Sequence, residues 1–203
     1  CYKLNTENYL TDGSFTFPMR EIGDANILKE FCEKFCSIVD RHCKYIIVSG
    51  YLAIATGRSR ATQDIDMIIS KIARPAFVAL HHDLVREGFN CVQGDKPEEI
   101  YDFYLAENTS IRYLYGNEFL PEMEVKLAKD LLDNIQIQTR VKIPLTNVDV
   151  WFGSVEMGIA FKEEYLKSEK DMEDARHLRI VFKEEINEQN INSLKKTIRE
   201  VRL

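Results

Sequence analysis

Two short apolar runs and the residues between them constrain this chain more than anything else in it. Tyr45-Ile46-Ile47-Val48 ends in Ser49-Gly50, and after a polar stretch Asp64-Ile65-Asp66-Met67-Ile68-Ile69 begins. Short runs rich in β-branched residues read as buried strands, here at about 45–49 and 64–70. Residues two apart on a strand point the same way, so Asp64 and Asp66 project from one face and Ile65 from the other. Two carboxylates on one face repel each other unless something cationic lies between them. Paired divalent ions fill that place in phosphoryl-transfer chemistry. A Ser-Gly turn that opens a helix offers backbone N–H groups and room for a phosphate.

Composition excludes several classes. With 203 residues, 45 % of them apolar, the chain can build one real core, alone or with a helical extension. No apolar run approaches the ~18 residues of a spanning helix, so no membrane partner is expected. The opening Cys1-Tyr2-Lys3-Leu4-Asn5 is polar and mixed, unlike a signal peptide. A net charge of −6 argues against a protein that coats nucleic acid, while Arg58, Arg60, Lys162 and Lys170 can still build a local basic pocket. Five cysteines without a CxxC pair suggest a reduced, cytoplasmic protein. Cys32, Cys36 and Cys43 lie on one helical stripe with Leu28, Phe31, Phe35 and Val39, and read as buried packing rather than as a metal site with His42. The His81-His82 pair reads as packing and surface.

Helices are expected from Asp24 to about Cys43, after Gly50 as far as Gly57, at 74–87 with Pro75 in the first turn, and at 97–106. A short strand is expected at 89–92. Alternation predicts further strands at 111–115, 123–127, 135–143 and 147–152. From Ser154 the period becomes helical, at 155–167, 169–184 and 188–202. The fold class is α+β: a mixed β-sheet flanked by helices over 1–152, and a helical C-terminal part over 153–203 packed on it.

The turn and acidic triplet resemble the signature of the DNA polymerase beta-type nucleotidyltransferase superfamily: a Gly-Gly or Gly-Ser turn, then acidic-apolar-acidic. Ser49-Gly50 departs from it in order and identity. Arg60-x-Thr62-x-Asp64-x-Asp66 is similar to the form in small abortive-infection (AbiEii-like) toxin-type nucleotidyltransferases. The resemblance implies a nucleotidyltransferase-like sheet and a third acid from a later strand. Met123-Glu124-Val125 and Val148-Asp149-Val150 both have the right pattern. Toxin-like members carry a helix Ser-x-x-Glu-x-x-x-Ala-x-Lys after that acid, and Ser154-Val155-Glu156-Met157-Gly158-Ile159-Ala160-Phe161-Lys162 comes close to it. Chain order therefore favours Glu124, whose competing role is a surface pair with Lys126.

By the same resemblance Asp64, Asp66 and Glu124 are the catalytic and metal-holding residues, with Mg²⁺ or Mn²⁺ as cofactor. Ser49, Gly50, Arg60 and Lys162 attend the nucleotide. Ser168-Glu169-Lys170-Asp171-Met172-Glu173-Asp174 resembles the family's Arg-Asp-x-x-Asp segment, which adds Lys170, Asp171 and Asp174, the two acids holding Lys162 or an arginine. Arg58 reads as a solvated loop residue. The implied reaction moves an NMP from an NTP, ATP among them, to a hydroxyl on an RNA 3′ end, a protein or a small molecule. An antitoxin partner or self-association follows by analogy. The alternative is a catalytically silent member that binds nucleotide or a partner.

Overall fold

The computed structural model describes residues 22–59 and 64–203. Among the described residues, five strands form one sheet in the order β1-β2-β5-β4-β3. They are β1 (Tyr45–Val48), β2 (Asp64–Ile69), β3 (Phe89–Cys91), β4 (Ile111–Tyr115) and β5 (Glu122–Leu127). Only β2 and β5 run parallel; the other neighbours are antiparallel. The mixed sheet flanked by helices agrees with the fold class expected from the sequence.

Strand alternation gives the sheet two unlike faces. Ile47, Ile65, Met67, Tyr113, Met123 and Val125 form the dry face. It is covered by helix α1 (Ile22–Val39) and helix α3 (Arg74–Arg86). Phe35 of α1 packs against Phe89 and Tyr113 with ring centroids 5.0 and 5.4 Å apart. Cys32 and Cys36 are buried in this layer and Cys43 is half-buried, its thiol pushed up to about 12 by burial. His81 is buried against the Tyr113 hydroxyl at 2.9 Å, and His82 is exposed. The packing reading of both groups holds.

Short helix α2 (Tyr51–Ala55) follows β1 directly, and α4 (Pro97–Ile100) continues as a π-helical turn through Leu105. The 135–143 strand is not formed. Its first half belongs to helix α5 (Leu131–Gln138), capped by Asp130, whose side chain accepts from the Asp133 N–H. Ile135 and Ile137 alternate with glutamines and mimic a strand. The buried residues Leu132, Asp133, Gln136 and Ile137 follow the helical period instead. The 147–152 strand is reduced to isolated bridges of Phe152 to Ile47 and Val141, after a 3₁₀ turn at Pro144–Thr146 that ends with Asn147 in the left-handed region.

Helices α6 (Val155–Phe161), α7 (Glu169–Val181) and α8 (Glu188–Arg202) complete the described chain. Ser154 and Ser168 cap α6 and α7 by accepting from the N–H groups of Met157 and Asp171. A π-helical turn, Lys162–Leu166, prolongs α6. These helices pack on one another, on α2 and on α5.

Candidate active site

The second face of the sheet is polar at the starts of β2 and β5 and apolar beside them at Ile46 and Ile68. In the parallel pairing of β2 with β5, Asp64 lies opposite Glu122 and Asp66 opposite Glu124. Adjacent strands are about 4.8 Å apart, so four carboxylates share one small area. The sequence reading found three of these acids and missed Glu122. Glu122-Met123-Glu124 repeats the spacing of Asp64-Ile65-Asp66, and that repeat was the available signal.

Electrostatics mark the cluster. Asp66 is half-buried, and its carboxyl is pushed above the usual range by burial and by the like charges of Glu124 and Asp64, while the Ser49 hydroxyl bond and Lys126 pull it back. Burial also raises Glu122, against the pull of Arg112. Arg112, opposite Glu124 on β4, places Nε 3.3 Å from Glu122 Oε1 and Nη2 3.3 Å from Glu124 Oε2. Glu124 therefore pairs with Arg112 rather than with Lys126. Asp149, the other candidate third acid, is exposed elsewhere and pairs with Lys142.

The turn after β1 adjoins the acids, since Val48 pairs with Asp66. Ser49 has φ 66° and Gly50 has φ −81°. The left-handed conformation that favours glycine thus falls on the serine, at a cost on the order of 1–2 kcal/mol. Gly50 is buried and caps α2. Asp66 and Ser49 open onto a cleft of about 350 Å³ that runs between this face and α5, α6 and α8. Lys126, Lys129, Gln136, Lys162, Tyr165 and Arg202 also line it. The sequence reading gave no role to Lys129, Gln136 or Arg202, because the loop after β5, α5 and α8 meet only in the fold.

Lys162 is almost fully buried, with Nζ 2.8 Å from Asp174 Oδ2 and 3.1 Å from Asp171 Oδ1. The expectation that the two aspartates hold a cation agrees with this geometry. Arg58 is not a solvated loop residue. It is largely buried, bonds Asp174 and Glu173, and donates to the Lys170 carbonyl at 3.2 Å. A lone arginine beside Gly57 gave no hint of a partner more than a hundred residues away. Lys170 is exposed and only its carbonyl joins the network, so its side chain is not gathered into the cleft. Arg60 lies outside the described residues.

The donor set suits a hard divalent cation, since carboxylate oxygens are the ligands Mg²⁺ and Mn²⁺ prefer. Raised carboxyls on one face also call for positive charge between them. Among the described residues, no three carboxylate, imidazole or thiolate groups already converge as a metal cage. Arg112 draws Glu122 and Glu124 toward itself.

No protein-family model and no curated protein matches the chain. Solved structures match it in shape. The solution structure of the antibiotic-resistance factor ANT(2'')-Ia gives a TM-score of 0.54 at 15 % identity, covering 87 % of this chain and 93 % of that one. The crystal structure of ANT(2'')-Ia with adenylyl-2''-tobramycin gives 0.52 at 14 %, covering 86 % and 98 %. An antigenic nucleotidyltransferase-like protein from Paracoccidioides brasiliensis gives 0.51 at 17 %, covering 87 % and 88 %. The chain has the nucleotidyltransferase-like fold.

Proposed function

We propose that the chain transfers an NMP from an NTP to an acceptor hydroxyl in the presence of Mg²⁺ or Mn²⁺. The observation that carries this reading is the placement of Asp66 and Glu124 in register on parallel strands, beside the Ser49–Gly50 turn, with Ser49 and Asp66 lining the cleft. Asp64, Asp66 and Glu124 would hold the metal, which when bound supplies positive charge against the phosphoryl oxygens. The Ser49 side chain lies beside Asp66 and favours its ionised form, the form that binds a cation. Lys126 and Lys129 bring positive charge to the same cleft, where a triphosphate needs it. Asp171 and Asp174 hold the Lys162 ammonium at the wall, and Arg58 braces Asp174 from behind. The attacking hydroxyl forms the new bond to the α-phosphorus as the bond to pyrophosphate breaks.

The structure holding adenylyl-2''-tobramycin supports a small-molecule acceptor on this fold. RNA 3′ ends and protein hydroxyls are the other acceptor classes, and a toxin-type role rests on the motif resemblance alone. Incubation with each labelled NTP, Mg²⁺ and separated RNA, protein and metabolite fractions tests the reading. Label is expected to move into one fraction and to stay out of it with EDTA. No incorporation with any NTP would overturn it.

One observation favours a second reading, a member that binds nucleotide without turnover. Arg112 already pairs with Glu122 and Glu124 and neutralises charge that would otherwise draw a metal. NTP binding in Mg²⁺ with no product in any fraction supports that reading, and labelled product refutes it.

A further inference from the structure

Where the cleft meets α5, Gln136 is 5 % exposed and lines the cavity. None of the described residues hydrogen-bonds its side-chain amide. The amide atoms reach the surface of the cleft, where a ligand or an ordered water can meet them. Its neighbour Asp133 is already occupied by Arg202 Nη2 at 2.7 Å and the Lys129 N–H at 3.0 Å. Helix α5 holds Gln136 in place because Leu132 and Ile137, on either side of it, are anchored in the core.

Gly153 keeps space open in front of this amide. A Cβ at Gly153 would lie 3.2 Å from Gln136 Oε1 and 3.9 Å from Ile46 Cδ1. Ile46 pairs with Ile68, two residues beyond Asp66 on β2, or about 7 Å along the strand. That is about the reach of a sugar from a phosphate held at Asp66. The wall there includes the apolar Ile68, which packs with the buried Ile46 behind it. A phosphate only accepts hydrogen bonds and would leave the amide oxygen idle. The edge of a nucleobase presents a donor beside an acceptor and matches both halves of an amide.

We propose that Gln136 reads the base edge of the bound nucleotide and sets which NTP the protein uses. This rests on the reading of the cleft as an NTP site. ATP, GTP, CTP, UTP and base-free ribose 5-triphosphate are titrated in Mg²⁺ into the parent, Gln136→Leu and Gln136→Glu, with thermal melts as the folding control. The parent should prefer one base by about tenfold or more. Gln136→Leu should flatten that preference to within about threefold and leave ribose triphosphate affinity unchanged. Gln136→Glu keeps the size but loses the donor, so it should move preference toward guanine, whose N1–H and exocyclic amine donate side by side to a carboxylate. It carries the test alone if the leucine variant does not fold. The proposal is overturned if the parent has no base preference, if the folded variants keep it, or if ribose triphosphate weakens as much as the NTPs. Failure of the parent to bind any of the five compounds would instead overturn the NTP reading itself.

Discussion

The two faces of the sheet are built from alternate residues of the same strands, yet they do opposite things. Ile65, Met67 and Met123 point into a dry core where each methylene lost leaves a hole. Asp64, Asp66, Glu122 and Glu124 point the other way, crowd like charges together, and leave Asp66 and Glu122 harder to ionise than free carboxyls. A face arranged for stability would not do this. The comparison teaches that the fold is held from one side and carries its chemistry on the other, so the two can be disturbed separately.

The sharpest break uses neighbours on β2. Asp66→Asn is expected to lose several kcal/mol of transition-state stabilisation, roughly 10³-fold in rate, while the melting temperature stays level or rises. Met67→Ala should lose about 2–5 kcal/mol of stability by denaturant unfolding, with the transfer rate of the remaining folded protein little changed. If both variants lose stability alike, the division between the faces is wrong.

A second test concerns the helical wall of the cleft. Asp174 is fully buried between Lys162 and Arg58. Removing one partner from such a network leaves charge buried without its counterion, so Asp174→Ala should cost about 3–5 kcal/mol. Asp171→Ala, at the more exposed end of the network, should cost clearly less in the same unfolding series. Equal losses would show that burial does not grade this network.

The smallest effect is expected from acid. The Arg179 and Lys195 bonds to Glu163 hold its carboxyl below the usual range, against burial. Asp130 is held low as well: burial pushes it up, and the bonds from Arg202 and the Asp133 N–H, with the charges of Arg202 and Lys129, together more than offset this. Depressed carboxyls stabilise the fold above their unfolded pKa, near 4, and that stability is lost as pH falls through the lower folded value. Melting temperature should therefore fall below about pH 4.5, and Glu163→Gln should flatten the slope. An unchanged slope would remove Glu163 from the account.

Much of this was legible before folding. The D-x-D strand, the turn after β1 and the helical period that starts from Ser154 are local features, and local features survive in sequence. Three others were not. The 135–143 segment carries two periods at once, and its tertiary neighbours chose the helix. Arg58 finds Asp174 only because α7 packs beside α2. Gln136 looks like a polar residue on the outer face of a strand until α5 forms and Gly153 and the sheet close around it. The left-handed φ on Ser49 was equally hidden, since its glycine neighbour was the natural place to expect it.

The most direct measurement compares the two candidate third acids. Pyrophosphate release from NTP is followed in Mg²⁺, with the acceptor fraction identified by labelling, for the parent, Glu124→Gln and Asp149→Asn. The account predicts release by the parent, near-complete loss in Glu124→Gln, and parent-like release in Asp149→Asn. An active Glu124→Gln beside an inactive Asp149→Asn would contradict the assignment of the chemistry to the polar face of the sheet.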